Sequence, residues 1–145
     1  STRLFDLPAS PQAKAVDATF SEQFQLAAFE ATPIGGSVVV TVAWHALATP
    51  GVDAKVFVHL LNGQGNLVAQ SDQVPAGSYS TTRWVAGEYV LDTHRIDLPP
   101  DLPPGAYTLT VGLYDSVTEG RLPAFDAGGT SFANAAVPLG TVSLP

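Results

Sequence analysis

Cysteine and methionine are both absent from this 145-residue chain. Without cysteine there is no disulfide, no thiol nucleophile and no thiolate-ligated zinc or iron–sulfur site. Charge is scarce too, at 13% of residues, and six basic against thirteen acidic side chains leave a net charge of −7. A balance of that sign argues against phosphate backbones and anionic lipid as partners, so neither nucleic acid nor a membrane surface is expected. No run approaches the ~20 apolar residues of a membrane-spanning helix, so direct membrane insertion is not expected either. No charged segment followed by an apolar one marks a secretory signal. The Gly-x-Ser-x-Gly elbow, the Walker phosphate loop, the His-Glu-x-x-His zinc motif and the Asn-x-Ser/Thr sequon are all missing. Most enzyme classes drop out with them.

Apolar residues make up 46% of the chain, so it is not of disordered composition. A chain of this length makes one domain and buries roughly 70% of its unfolded surface, which is enough for an unstapled core. Thirteen glycines and twelve prolines point to many turns and few long helices. Because the chain begins at Ser1, it is expected to be a processed protein or a piece of a longer one. Residues 1–16, with Pro8 and Pro11, read as a linker or an edge strand, and residues 17–145 as a single domain.

From residue 37 onward the hydrophobic period is two, the mark of strands with a buried face. Val38, Val40, Val42 and Trp44 alternate with Val39, Thr41, Ala43 and His45. Val56, Val58 and Leu60 alternate with Phe57, His59 and Leu61, so both faces are apolar and this strand is expected to be central. The turn Asn62-Gly63-Gln64-Gly65-Asn66 sends the chain back as a strand over 67–72. Further strands are expected at 88–98, at 107–114 after the proline-rich segment 99–105, and near 137–144. With one at 23–30 these make seven, or nine with short pieces at 3–7 and 121–125. Segment 13–31 is ambiguous: Val16, Phe20, Phe24 and Ala27 have helical spacing, whereas Phe24, Leu26 and Ala28 alternate with polar residues, which favours a strand at 23–30. The expected fold is all-β, an antiparallel immunoglobulin-like or carbohydrate-binding-module-like β-sandwich of about seven to nine strands.

Several residues carry chemistry. Tyr107, just inside a strand after Pro104-Gly105, resembles the tyrosine corner of immunoglobulin-like sandwiches and reads as a structural latch. Trp44 is expected to be buried in its strand. His45, His59 and His94 fall on three different strands and read as locally satisfied. Asp92 and His94 are two apart and share a strand face, which fits either a proton shuttle or metal site, or a hydrogen-bonded pair near a strand edge; the second is preferred. Asp72, Glu88, Asp92 and Asp115 offer hard oxygens of the kind Ca²⁺ takes, but their spacing matches no calcium loop, so no cofactor is expected beyond a weakly supported structural Ca²⁺. The long connection 73–87 holds Tyr79, Arg83 and Trp84 close to Asp72 and Glu88. An aromatic platform beside a guanidinium and carboxylates is a way to hold a sugar. The alternative is that Trp84 folds back as a lid on the sandwich. Residues 116–136 form a second long excursion with Arg121 and Phe125.

Val56-Phe57-Val58-His59-Leu60, Ala69-Gln70-Ser71-Asp72, Thr82-Arg83-Trp84, Gly87-Glu88, Asp92, Pro104-Gly105-Ala106-Tyr107, Val111-Gly112-Leu113-Tyr114-Asp115 and Arg121-Leu122-Pro123 follow one another in order. In this the chain resembles an uncharacterised β-sandwich domain at the C-terminal, extracytoplasmic end of large bacterial membrane proteins. Many of these, notably from Chloroflexus-like bacteria, look like polytopic glycosyltransferases that use lipid-linked sugars. The resemblance covers residues 17–145. It implies an accessory module outside the membrane rather than the transferase itself, with Asp72, Trp84, Glu88, Asp92, Tyr107 and Asp115 at its recurring positions. One departure is that Ser80 or Thr81 stands where that family often has the proline of a Pro-Thr-x-x-Trp stretch.

Two functions follow as expectations. The first is a noncatalytic module that binds a glycan or cell-envelope polymer through Tyr79, Arg83, Trp84, Asp72 and Glu88. The second is a structural domain docking on its parent membrane protein or on a second copy, motivated by the two-sided apolarity at Phe57 and Leu61; the oligomeric state is left open. A small hydrolase-like enzyme using Asp92 and His94 ranks third.

Overall fold

Strands need a face to bury, and the alternation in this sequence supplies one for two facing sheets. The structure is a computed structural model that describes residues 14–145. It contains nine strands: β1 (Lys14–Phe20), β2 (Phe24–Ile34), β3 (Ser37–Ala46), β4 (Ala54–Leu61), β5 (Leu67–Gln73), β6 (Tyr89–Asp97), β7 (Gly105–Asp115), β8 (Ala124–Asp126) and β9 (Val137–Leu144). They form a five-stranded sheet, β6-β3-β2-β1-β8, and a four-stranded sheet, β5-β4-β7-β9. The strand pairs are antiparallel. The order β2-β3-β6 facing β5-β4-β7-β9 is the immunoglobulin-like arrangement, with β1 and β8 added outside β2.

Phe20, Phe24, Leu26, Val38, Val40, Val42 and Trp44 from one sheet meet Val56, Val58, Leu60, Leu109, Val111 and Leu113 from the other. Phe20 and Trp44 contact edge to face at 5.6 Å, a geometry favoured by the ring quadrupoles. Tyr107, at the start of β7, donates its hydroxyl to the Pro103 carbonyl at 2.6 Å and so ties the proline-rich connection to the strand. As its two-faced pattern predicts, β4 is an inner strand.

The ambiguous segment 13–31 is a β-hairpin and not a helix. Ser21 and Glu22 form its turn, both left-handed at φ 50° and 58°, without the Asn-Gly signal that normally betrays such turns. Leu26 pairs with Trp44 and the next β2–β3 pair is Ala28 with Ala43, so Ala27 is a bulged extra residue. The bulge moves Ala28 onto the outer face, beside Ala43 and Leu91, and turns Phe29 inward. The expected boundary between 16 and 17 falls inside β1, because strand pairing already begins with Lys14 opposite Phe29. The strand expected at 3–7 lies outside the described residues. That at 121–125 is a bridge from Arg121 to Tyr114 followed by β8 at 124–126.

One side of the sandwich is closed by polar groups. Asp92 is fully buried on the inner face of edge strand β6. Its Oδ1 accepts from Gln73 Nε2 (3.1 Å) and the Ala76 amide (2.8 Å). Its Oδ2 accepts from Trp44 Nε1 (3.3 Å) and His94 Nε2 (2.7 Å). His94, also fully buried, reaches β5 through Nδ1 and Ser71 Oγ at 2.9 Å. The carboxylate thus joins both sheets and the 75–77 turn. Asp92→Ala leaves these donors unpaired and is expected to reduce unfolding free energy by about 3–5 kcal/mol. Asp92→Asn is expected to lose less, since its amide keeps one acceptor oxygen. Urea unfolding measures both; a loss under about 1 kcal/mol for the alanine variant would mean that water replaces the carboxylate.

Candidate functional site

The connection after β5 is held down by its own side chains. Ser80 donates to Asp53 Oδ1 at 2.9 Å, and buried Thr81 donates to the Val52 carbonyl at 2.6 Å while accepting the Ala54 amide at 3.0 Å. These bonds fix the backbone of the connection at Ser80 and Thr81. Trp84 is 1% exposed. Its ring meets Phe24 edge-on at 5.6 Å, and its Nε1 donates to the Tyr79 carbonyl at 3.2 Å. This corrects the reading of Trp84 as a sugar platform: the indole is a lid on the core, because burying so large an apolar surface outweighs leaving it in a loop. Tyr79 donates to the Glu88 carboxylate at 2.9 Å, Glu88 accepts the Val85 amide at 3.1 Å, and Arg83 lies 5.7 Å from the Tyr79 ring. Tyr79, Arg83 and Glu88 therefore come together, with hydroxyl and carboxylate turned toward each other.

Asp72 does not join them. It projects from the outer face of the four-stranded sheet into a hollow of about 280 Å³ lined by Phe57, His59, Asp72, Tyr114, Glu119 and Arg121. Asp115 instead accepts the Val117 amide at 2.8 Å and shapes the turn after β7. Of the acids expected as hard oxygen ligands, Asp92 is internal, Glu88 bonds Tyr79, Asp72 faces the hollow and Asp115 its own turn. Among the described residues no three acids or histidines converge as metal ligands.

The hollow is built on a glycine. Gly112 of β7 lies opposite Phe57 of β4, and a Cβ at 112 would collide with the Phe57 ring and the Ala135 carbonyl. The missing side chain lets the ring lie against the sheet. Over that ring sits the Arg121 guanidinium, 4.2 Å from its centroid, with one N–H donated to the Asn134 carbonyl at 2.9 Å. Asn134 and Ala135 both adopt left-handed backbone, φ 59° and 52°, an uncommon state for residues with a Cβ and one that clusters at functional sites. His59 tilts against Phe57 at 4.7 Å, and Tyr114 donates to Asp72 Oδ2 at 3.3 Å. The apolar ring of Phe57 is thus covered by Arg121 of the same chain.

Arg121 makes no ion pair among the described residues, although Asp72 and Glu119 line the same hollow. Burial, and then the Arg121 charge, hold the His59 imidazole below its ordinary value of 6.5, against the opposing pull of Asp72 and Gln70. Burial and then Asp72 raise Tyr114, which keeps the phenol a donor. What results is a set of mixed donors and acceptors on an aromatic floor, suited to hydroxyl groups. Phe57, His59, Tyr114, Glu119 and Arg121 escaped the sequence reading of the site. The signal that could have found them was a glycine inside the otherwise unbroken strand 105–115.

Ser71, His94 and Asp92 have the connectivity of a hydrolytic triad. Ser71, however, is turned between the sheets toward His94 and does not line this hollow.

No protein-family model matches the chain, and no curated protein sequence matches it either. Among solved structures it is similar to a beta-glucuronidase from glycoside hydrolase family 2, with TM-score 0.49 and 10% identity over 97% of this chain. It is also similar to the putative ApaA protein from Bordetella pertussis, with TM-score 0.37 and 16% identity over 90% of this chain. The chain spans 12% of the length of the first and 94% of the second.

The electrostatics of the hollow are open to measurement. The His59 ring, followed by NMR, is expected to titrate below 6.5. Arg121→Ala should move that midpoint up by removing a repelling cation, and Asp72→Asn should move it down by removing an attracting anion. A midpoint that ignores both substitutions would show that His59 does not share a hollow with them.

Proposed function

We propose that this domain is a noncatalytic carbohydrate-binding accessory module, and that it binds through the outer face of the four-stranded sheet rather than through the 73–87 connection. One observation carries the reading. A single surface hollow gathers a stacked guanidinium, two carboxylates, a phenol and an imidazole over an aromatic floor. Sugars present alternating C–H faces and hydroxyls, and such a site meets both, the first by contact with the half-buried Tyr114 and His59 rings and the second by charge-assisted hydrogen bonds. Two carboxylates against one guanidinium leave the hollow with one net negative charge, which favours a neutral polyol over a polyanion.

Trp44 and Trp84 are both buried, 0% and 1% exposed, so calorimetry serves better than tryptophan emission. Titration with xylan, laminarin, galactomannan and soluble peptidoglycan fragments is expected to give saturable binding to at least one. Arg121→Ala should weaken it at least tenfold, about 1.4 kcal/mol. Absence of binding to every polymer, or binding indifferent to Arg121→Ala, overturns the assignment.

The family resemblance extends the reading: the module works outside the membrane, on a longer membrane-anchored protein that handles lipid-linked sugars. Protease added to intact cells that carry the tagged natural protein should cleave this domain. Protection until the cells are lysed would contradict an extracytoplasmic location.

A further inference from the structure

The hollow is one half of a longer groove. A second hollow of about 350 Å³ adjoins it, and the two share His59 and Arg121. The new walls are Leu61, Thr110, Phe132, Asn134 and Pro138. Asp72 stands on β5 and Pro138 on β9, the two outer strands of the sheet. Three strand spacings separate them, about 14 Å, which is longer than one pyranose ring.

The halves differ in chemistry. The first holds Asp72, Glu119 and the Tyr114 hydroxyl, whereas the second adds no carboxylate and is walled by Leu61, Phe132 and Pro138. Arg121 sits at their junction. Stacking on Phe57 and its bond to the Asn134 carbonyl fix the guanidinium plane. Its other N–H groups make no hydrogen bond among the described residues, so they are free to serve a ligand that crosses from one half to the other. A planar fork held in this way has already lost most of the entropy that binding would take.

From this geometry we infer that the groove takes a linear oligosaccharide of at least two rings laid across the strands. One ring is hydrogen-bonded by Asp72 and Glu119. The next stacks its C–H face on the Phe132 and Pro138 wall, with Arg121 bonding at the linkage. The inference rests on the carbohydrate reading above and adds ligand length and orientation to it.

A length series separates the two. Monomer to tetramer of the xylo-, cello- and chito-oligosaccharides would be titrated calorimetrically into the protein and its variants. In the series that binds, the expected result is a gain of at least tenfold from monomer to dimer or trimer. Phe132→Ala should remove that gain. Phe132 touches the core, so Pro138→Glu, at an exposed position, provides a second variant with the same expectation. Asp72→Asn, in contrast, should weaken all lengths alike. Equal affinity for monomer and tetramer, or oligomer binding that survives both Phe132→Ala and Pro138→Glu, overturns the two-ring groove and leaves the carbohydrate reading standing. No binding by any member of any series overturns the two-ring groove, and no binding to the four polymers above as well overturns both.

Discussion

A carboxylate with no access to water decides how this sandwich closes. Moving an ion such as Asp92 out of solvent is costly, and only complete hydrogen bonding offsets it. Each of its oxygens accepts two bonds, from donors on β3, β5, β6 and the 75–77 turn. β5 and β6 are edge strands of different sheets and share no ladder. Without this cluster, little beyond apolar contact would fix their separation. Once it is set, the connection that follows β5 is delivered over the end of the core, and Trp84 drops against Phe24. The lid and the polar clasp are successive consequences of one buried charge.

The opposite face of the four-stranded sheet follows another logic. There a glycine makes the room, a phenylalanine fills it, and an arginine from the long connection after β7 lies on top. That connection bridges to Tyr114, pairs β8 with β1 in the other sheet, and returns through left-handed residues 134 and 135 to β9. It is thus tied to both sheets before it places Arg121. Such anchoring turns a surface arginine, ordinarily free to sample many rotamers, into a fixed donor.

Strands with one buried face were legible because burial imposes a period of two, and β3, β4, β7 and β9 emerge close to where their alternation begins and ends. The tyrosine corner was legible for a similar reason, since Pro103 and Tyr107 are near neighbours and their contact is local. What could not be read was either non-local or locally disguised. Ser21 and Glu22 carry a left-handed turn without glycine or asparagine, and the Ala27 bulge breaks the alternation of β2 midway, so a helical period competed there. The groove depends on Arg121 reaching Phe57, which lies far back in the chain, and no spacing encodes that meeting. Trp84 illustrates the reverse hazard: a tryptophan amid polar loop residues looks like a binding platform, but its hydrophobic area makes burial the default.

The Asp92 cluster and the Arg121 hollow differ in their degree of saturation. Asp92 accepts as many hydrogen bonds as its oxygens comfortably hold, His94 uses both ring nitrogens, and buried side-chain polar atoms without a partner are not found among the described residues. A group in that condition can gain nothing from a ligand without first losing a bond of equal strength. Arg121 and Glu119 on the anchored connection, with Asp72 on β5, are the opposite case: exposed, gathered at one hollow, and with hydrogen-bonding capacity left over. Binding requires donors and acceptors that are fixed in place but unsatisfied, because only these gain when a ligand displaces their water. Triad-like connectivity at Ser71, His94 and Asp92 is therefore the weaker pointer to activity, and the unsaturated groove on the opposite face of the sheet is where a ligand would gain most.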